Sequence, residues 1–319
     1  MTTYILRRIL QALVVLVLVT ILVFFVMRLL PGDPLLIYIG QQSSIAAMPP
    51  EQVEVLRHQF GLDKNIVAQY LSWIGGITHG DFGESIYYHD KVSTLLKERL
   101  PVTLNLGVMS LIFGALTGII VGGWAGIRRF RWPDRIITPI TYISITVPVF
   151  WLGILMIYAF GLKLGWFPIS GYVAPQENFV DFLRHAAMPV FCMSLFSIAA
   201  NARQMRSSML ETVNQDYIRT AWAKGLSERR VIVKHALKNS LIPVITLIGV
   251  GVGMVFAGSV LIETVFAIPG VGRLMVSSIF GQDYVVVQAI TLVISVAILI
   301  VNLLVDISYG WFDPRIRYG

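Results

Sequence analysis

Residues 9–27 read ILQALVVLVLVTILVFFVM, with Gln11 and Thr20 the only polar side chains and no charge between Arg8 and Arg28. At a helical rise of about 1.5 Å per residue, this stretch covers the roughly 30 Å hydrocarbon layer of a bilayer. Placing one Lys, Arg or Asp at mid-membrane costs about 2.5–3.5 kcal/mol, so a charge-free run of this length predicts a spanning helix, over about residues 9–30. Arg7 and Arg8 in front would suit a secretory leader. The apolar run is too long for one, however, and continues into Leu29-Leu30-Pro31-Gly32-Asp33-Pro34 without a small-x-small cleavage pattern, so an uncleaved anchor is expected.

Working outward, five more neutral runs follow at Pro101–Ile127, Ile136–Leu162, Ala186–Ala202, Leu241–Ile262 and Val285–Val305. The chain is 56% hydrophobic and 13% charged, against roughly 45–50% and 25% for a soluble domain. These figures predict an all-α integral membrane protein with six transmembrane helices. Orientation follows from alternate loops. Lys and Arg number 16 in the N-terminal arm, residues 128–135, residues 203–240 and the tail, against 9 in the segments between them. The basic side is cytoplasmic, which puts both termini in the cytoplasm. The net charge of +7 is thereby explained by membrane orientation and gives no reason to expect nucleic acid.

Between the spans, residues 31–100 form the longest outer segment. Pro49-Pro50-Glu51 opens a helix-like run through Phe60 that Gly61 ends, and a second helix is expected from Asn65 to Ile77. This segment either meets a partner or gate, or simply caps the bundle. Gly114, Gly118, Gly122 and Gly126 recur every four residues on one helical face, a packing device where lipid tails provide no hydrophobic drive between helices. No ionisable residue interrupts the spans, and Asn105, Asn201 and Asn302 are their polar candidates. Cys192 lies in an apolar run and reads as a small buried hydrophobe.

Residues 203–240 carry the most legible local grammar. Asp216 is expected to cap a two-turn helix through Lys224, Gly225 to take the left-handed position after it, and Ser227 to cap a second helix toward Asn239. The chain is then expected to turn sharply into the membrane at Leu241 and Pro243. Such a short helix is marginal alone in water. It needs either a partner surface or its own bundle to lie on.

The string Asp216-Tyr217-Ile218-Arg219-Thr220-Ala221-Trp222-Ala223-Lys224-Gly225-Leu226, with Asn239 and Pro243 downstream, resembles the EAA coupling loop of bacterial ABC-importer permeases, in the form of the dipeptide/oligopeptide/nickel branch. Ala221 and Gly225 match the general pattern, while Arg219 and Thr220 stand where it has Glu and Ala. Tyr4 to Arg8, Pro31-Gly32-Asp33-Pro34, Phe60-Gly61-Leu62-Asp63, Gly80-Asp81-Phe82-Gly83, Glu263 to Phe266, Pro269 to Arg273, Asp283-Tyr284 and Asp313-Pro314-Arg315 are similar to the same branch in the same order. The long loop after the first span is similar to the "B" type of subunit.

The resemblance implies a type I ABC-importer permease fold. It divides the chain into residues 1–95, the first span and external loop; 96–308, the transmembrane domain; and 309–319, a cytoplasmic tail. It also implies a second homologous permease, two ATP-binding subunits and an extracytoplasmic binding protein as partners, with Asp216 to Leu226 docking on an ATPase and Asn239 and Pro243 supporting that loop. In this docking Ala221 and Ala223 would allow close approach and Trp222 would anchor. Glu263, Pro269, Gly270, Gly272 and Arg273 would form an external gate loop.

No Gly-x-x-x-x-Gly-Lys-Ser/Thr loop is present, so ATP and Mg²⁺ are expected on partner subunits and no cofactor in this chain. A secondary transporter is opposed by the charge-free spans and the elaborate cytoplasmic loop. A membrane enzyme is opposed by the scatter of His58, His79, His89, His185 and His235 and the lack of a His-Glu-x-x-His or Gly-x-Ser-x-Gly motif. The cargo stays open among dipeptides, oligopeptides, nickel chelates, glutathione and sugars.

Overall fold

The computed structural model of the chain describes residues 2–29, 54–55, 58, 63–85 and 87–312. Of the expected helix opened by Pro49-Pro50-Glu51 only Glu54, Val55 and His58 are described, all three helical, and the motifs at Pro31–Pro34, Phe60–Leu62 and Asp313–Arg315 lie outside the described residues. The elements are α1 (Thr2–Leu29), α2 (Ile66–Thr78), α3 (Val92–Ile127), α4 (Trp132–Thr146), α5 (Val149–Met156), α6 (Phe179–Val213), α7 (Asp216–Ala223), α8 (Lys238–Val265), α9 (Val271–Phe280) and α10 (Tyr284–Phe312). Among the described residues the only β pairing is a single bridge between Glu84 and Lys91. Among the described residues five helices are long and apolar enough to cross a membrane, and six if α4 and α5 count as one broken span.

That broken span corrects the expectation of a continuous helix over Ile136–Leu162. α4 and α5 are bent by 104° at Val147-Pro148. Proline pushes the preceding residue out of the helical region, and Val147 sits at ψ 124° accordingly. After α5 the chain widens into a π-helical turn over Ile157–Lys163. A second correction concerns Leu241 and Pro243. No turn occurs there, because a one-turn helix (Glu228–Arg230), a π-helical segment (Val231–Leu237) and α8 run on without interruption, with Pro243 inside α8.

The chain divides into two compact units that do not follow its linear order. One comprises Thr2–Pro101 with Gly270–Ile300. Within it α1 meets α2 through Phe24, whose ring lies 5.4 Å from Tyr70 and 5.8 Å from Trp73, and Thr20 shares a 2.9 Å hydrogen bond with the Tyr70 hydroxyl. Asn65 caps α2 as its type favours, its side-chain oxygen accepting from the Ala68 amide. A core of Val92, Leu95, Leu96, Val271, Leu274, Val286 and Ile290 joins the start of α3 to α9 and α10. The loop before α3 is pinned by Asp283, which accepts from the Ser85 hydroxyl and from the amides of Tyr87 and Val286.

The other unit comprises Val102–Pro269 with Val301–Gly319. Its centre is α6, packed on α8, α4 and α5. The four-residue glycine ladder of α3 lies against α6: a β-carbon added at Gly114, Gly118 or Gly126 would stand 2.7, 2.7 and 2.9 Å from the β-carbons of Ser197, Asn201 and Met209. At Gly122 it would overlap the backbone of Ala202. Close backbone approach of this kind replaces the missing hydrophobic drive with dispersion contact. Asn201 spends its amide on Ser197, and Asn105 donates to the Tyr172 hydroxyl, both within the bundle.

Candidate functional site

The segment from the end of α6 to the start of α8 builds the candidate site. Asn214 ends α6 and Gln215, in extended backbone, is the N-cap of α7 without a side-chain cap bond. Asp216 is therefore the first helical residue instead of the expected cap, where its negative charge still suits the positive end of the helix. At the other end Lys224 is the C-cap and Gly225 follows at φ +77°. The Gly225 amide donates to the Trp222 carbonyl and the Leu226 amide to the Ala221 carbonyl, the paired bonds of a Schellman motif. Ser227 occupies the next N-cap position, though its hydroxyl makes no cap bond.

The inward face of α7 is Ile218 and Ala221, both buried. They join Met205 and Met209 of α6, Val231 and Ala236 of the π-helical segment and Val244 of α8 in one apolar cluster. Burying a side chain such as Ile218 is worth about 1.5–3 kcal/mol, which offsets the cost of ordering so short a helix. Ala221 is thus occupied by its own chain and is withdrawn from the expected close approach to a partner. At 100° per residue the outward face is Asp216, Arg219, Thr220 and Ala223, all exposed, with Tyr217 (43% exposed) and Trp222 (42%) at its margins. The 3.6 Å Arg219–Asp216 pair is fully exposed to screening and holds little.

Two polar ties fix this helix and its neighbours. The Asn239 amide donates to the Tyr217 hydroxyl at 2.7 Å, joining α7 to α8. Ser240, fully buried, donates toward the Ala236 carbonyl and pairs with Thr212 at 3.0 Å, joining α8 to α6. On the neighbouring face, Asp134 of α4 is buried against Arg206 of α6 in a two-pronged pair of 2.6 and 3.0 Å, and also accepts from the Phe130 amide and the Thr138 hydroxyl. Ile218 enters the sequence-based expectations only as part of the Asp216–Leu226 string, and Ser240 and the Asp134–Arg206 pair do not enter them. Only the three-residue spacing of Ile218 and Ala221 signalled any of them.

The expected external loop contracts in the structure. Glu263 lies in the last turn of α8, completely buried, and accepts a 2.6 Å hydrogen bond from Thr103. Gly270 caps α9, while Gly272 and Arg273 are inside it, so only Phe266–Gly270 separates the two helices and Pro269 is its next-to-last residue. Sequence hydropathy assigned Glu263 to a loop because a charged residue ended the apolar run. A buried hydrogen-bonded carboxyl group at a helix end gives the same signal.

Apolar helices of spanning length, a backbone ladder of glycines and a capped helix held by its underside to the bundle define a polytopic helical membrane protein. The chain belongs to the family of binding-protein-dependent transport system inner membrane components, whose pattern matches residues 118–318, with the N-terminal region of the same components matching residues 1–107. It is 39% identical over 321 residues to the oligopeptide transport system permease protein AppB of Bacillus subtilis (strain 168), with 100% of each chain covered. A Brucella abortus (strain 2308) protein whose assigned name is that of a peptide transport system permease is 41% identical over 318 residues, again with 100% of each covered. The fold is similar to that of a solved amino acid ABC transporter, with a TM-score of 0.50 at 16% identity, covering 67% of this chain and 92% of that one. This chain is therefore a permease subunit of an ABC importer in the inner membrane, working with ATP-hydrolysing and substrate-binding partners.

Proposed function

We propose that this permease pairs with a second, homologous permease to form a pore for peptides, and that α7 transmits the motion of an ATP-binding subunit to it. ATP and Mg²⁺ then reside on two such subunits, and an extracytoplasmic binding protein delivers the cargo. Both termini and the α6–α8 segment face the cytoplasm, consistent with the excess of Lys and Arg there. The peptide cargo is supported by the names of full-length relatives at about 40% identity.

The observation that carries the coupling role is the two-faced burial of α7. Its underside is committed to the bundle through Ile218 and Ala221, whereas Thr220 and Ala223 leave a low, unobstructed outer surface. A helix so anchored moves with α6 and α8 when a partner groove moves it. Cysteine cross-linking in the assembled transporter tests this. Thr220→Cys and Ala223→Cys should cross-link to cysteines in the ATP-binding subunit, and the buried Ile218→Cys should not. Failure of both outward positions to cross-link in an ATPase-active complex rules the reading out.

A further inference from the structure

The turn joining α3 to α4 exposes Arg128, Arg129, Phe130, Arg131, Trp132 and Arg135. The one acidic residue between Trp124 and Tyr142 is Asp134. Its carboxylate is buried and occupied by Arg206, Thr138 and the Phe130 amide, so it neutralises none of the four turn arginines. Among the described residues none of those four guanidinium groups has an acidic partner. The charges are also held in place. Phe130 adopts φ +61°, an uncommon conformation for a bulky residue, secured by the 2.9 Å bond from its amide to Asp134. Arg129 lies 4.5 Å over the Phe130 ring.

What flanks this turn points to the kind of surface it meets. On α3, Ile112, Leu116, Ile120 and Trp124 recur every four residues and are all exposed. On α4, Trp132, Ile136, Ile140 and Ile143 do the same at helical spacing. At the end of both stripes Trp124 and Trp132 meet edge to face, their centroids 5.1 Å apart. Apolar stripes of this kind face acyl chains, and Trp collects at the level of lipid headgroups. The four arginines begin immediately beyond that level, where phosphates lie. A soluble protein partner would not require the tryptophans to continue lipid-facing stripes.

We propose that the α3–α4 turn is a binding site for anionic phospholipid headgroups, with Arg128, Arg129 and Arg131 engaging the phosphate and the Trp124–Trp132 pair seated at the headgroup–acyl boundary. This site is independent of which leaflet the turn occupies. The test uses the complete transporter in lipid nanodiscs containing photoactivatable phosphatidylglycerol or, in parallel, photoactivatable phosphatidylcholine, with cross-linked peptides mapped by mass spectrometry. Residues 124–135 should label preferentially with phosphatidylglycerol, by roughly fivefold for each basic residue engaged. Arg128→Gln with Arg129→Gln should remove most of that preference, and Arg128→Lys with Arg129→Lys should keep it. Equal labelling by the two lipids in the unsubstituted protein, or a preference untouched by the Gln pair, overturns the proposal.

Discussion

Gly225 has nothing within 4 Å of the place a β-carbon would take. Any loss on substitution there is conformational, since the residue sits at φ +77° and closes the Schellman motif of α7. A left-handed conformation costs an L-residue roughly 1–2 kcal/mol, and more for a β-branched one. Gly225→Val should therefore lower the yield of co-purified ATP-binding subunits or uncouple their hydrolysis from transport, while Gly225→Asn should be largely tolerated because Asn visits this region readily. Unchanged assembly and coupled ATPase activity in the Val variant would show that the turn geometry is dispensable. The Asp134–Arg206 pair is also a residue-scale device. Removing Arg206 would leave the buried Asp134 carboxylate without its countercharge and destabilise the α4–α6 contact.

Among the helices, the α3–α6 contact is the most sharply specified. Gly122 touches the Ala202 backbone, whereas a β-carbon at the adjacent Gly123 would find only the Met205 side chain at 3.8 Å. Backbone cannot yield as a flexible methionine can. Gly122→Ala should force α3 away from α6 and destabilise the fold by about 1–3 kcal/mol, and Gly123→Ala should change little. Thermal aggregation of the detergent-solubilised complex compares the two, and equal midpoints would mean the ladder is not the packing seam. The α4–α5 break belongs to this scale too. Pro139 is accommodated inside α4 and Pro148 ends the helical path, a difference in outcome that proline content alone did not signal.

For the molecule as a whole, topology decides whether α7 can reach an ATP-binding subunit. Single cysteines at exposed sites such as Lys224 or Arg229 should react with an impermeant maleimide only in inside-out vesicles. Labelling in intact cells would reverse the orientation and remove α7 from reach of an ATPase. The two compact units also cut across the linear division at residues 95 and 308, because α3 and α10 each contribute one part to one unit and the remainder to the other. A division made along the chain has no access to which helix halves pack together.

The amino-acid sequence by itself determined the solvent of each segment, since uninterrupted apolar length sets where a helix can reside in lipid, and it determined the C-terminal end of α7, since Gly225 and its neighbours act through local backbone geometry. It also placed the glycine seam on one face. Only the tertiary structure decided that α7 is pinned from beneath by Ile218 and Ala221 and that Asp134 is spent on Arg206. Likewise it decided that Glu263 is buried in a helix end and that Pro148, unlike Pro139, breaks its span. Those outcomes depend on contacts between residues tens to well over a hundred positions apart, or on the space neighbouring helices leave, and neither is written in local periodicity.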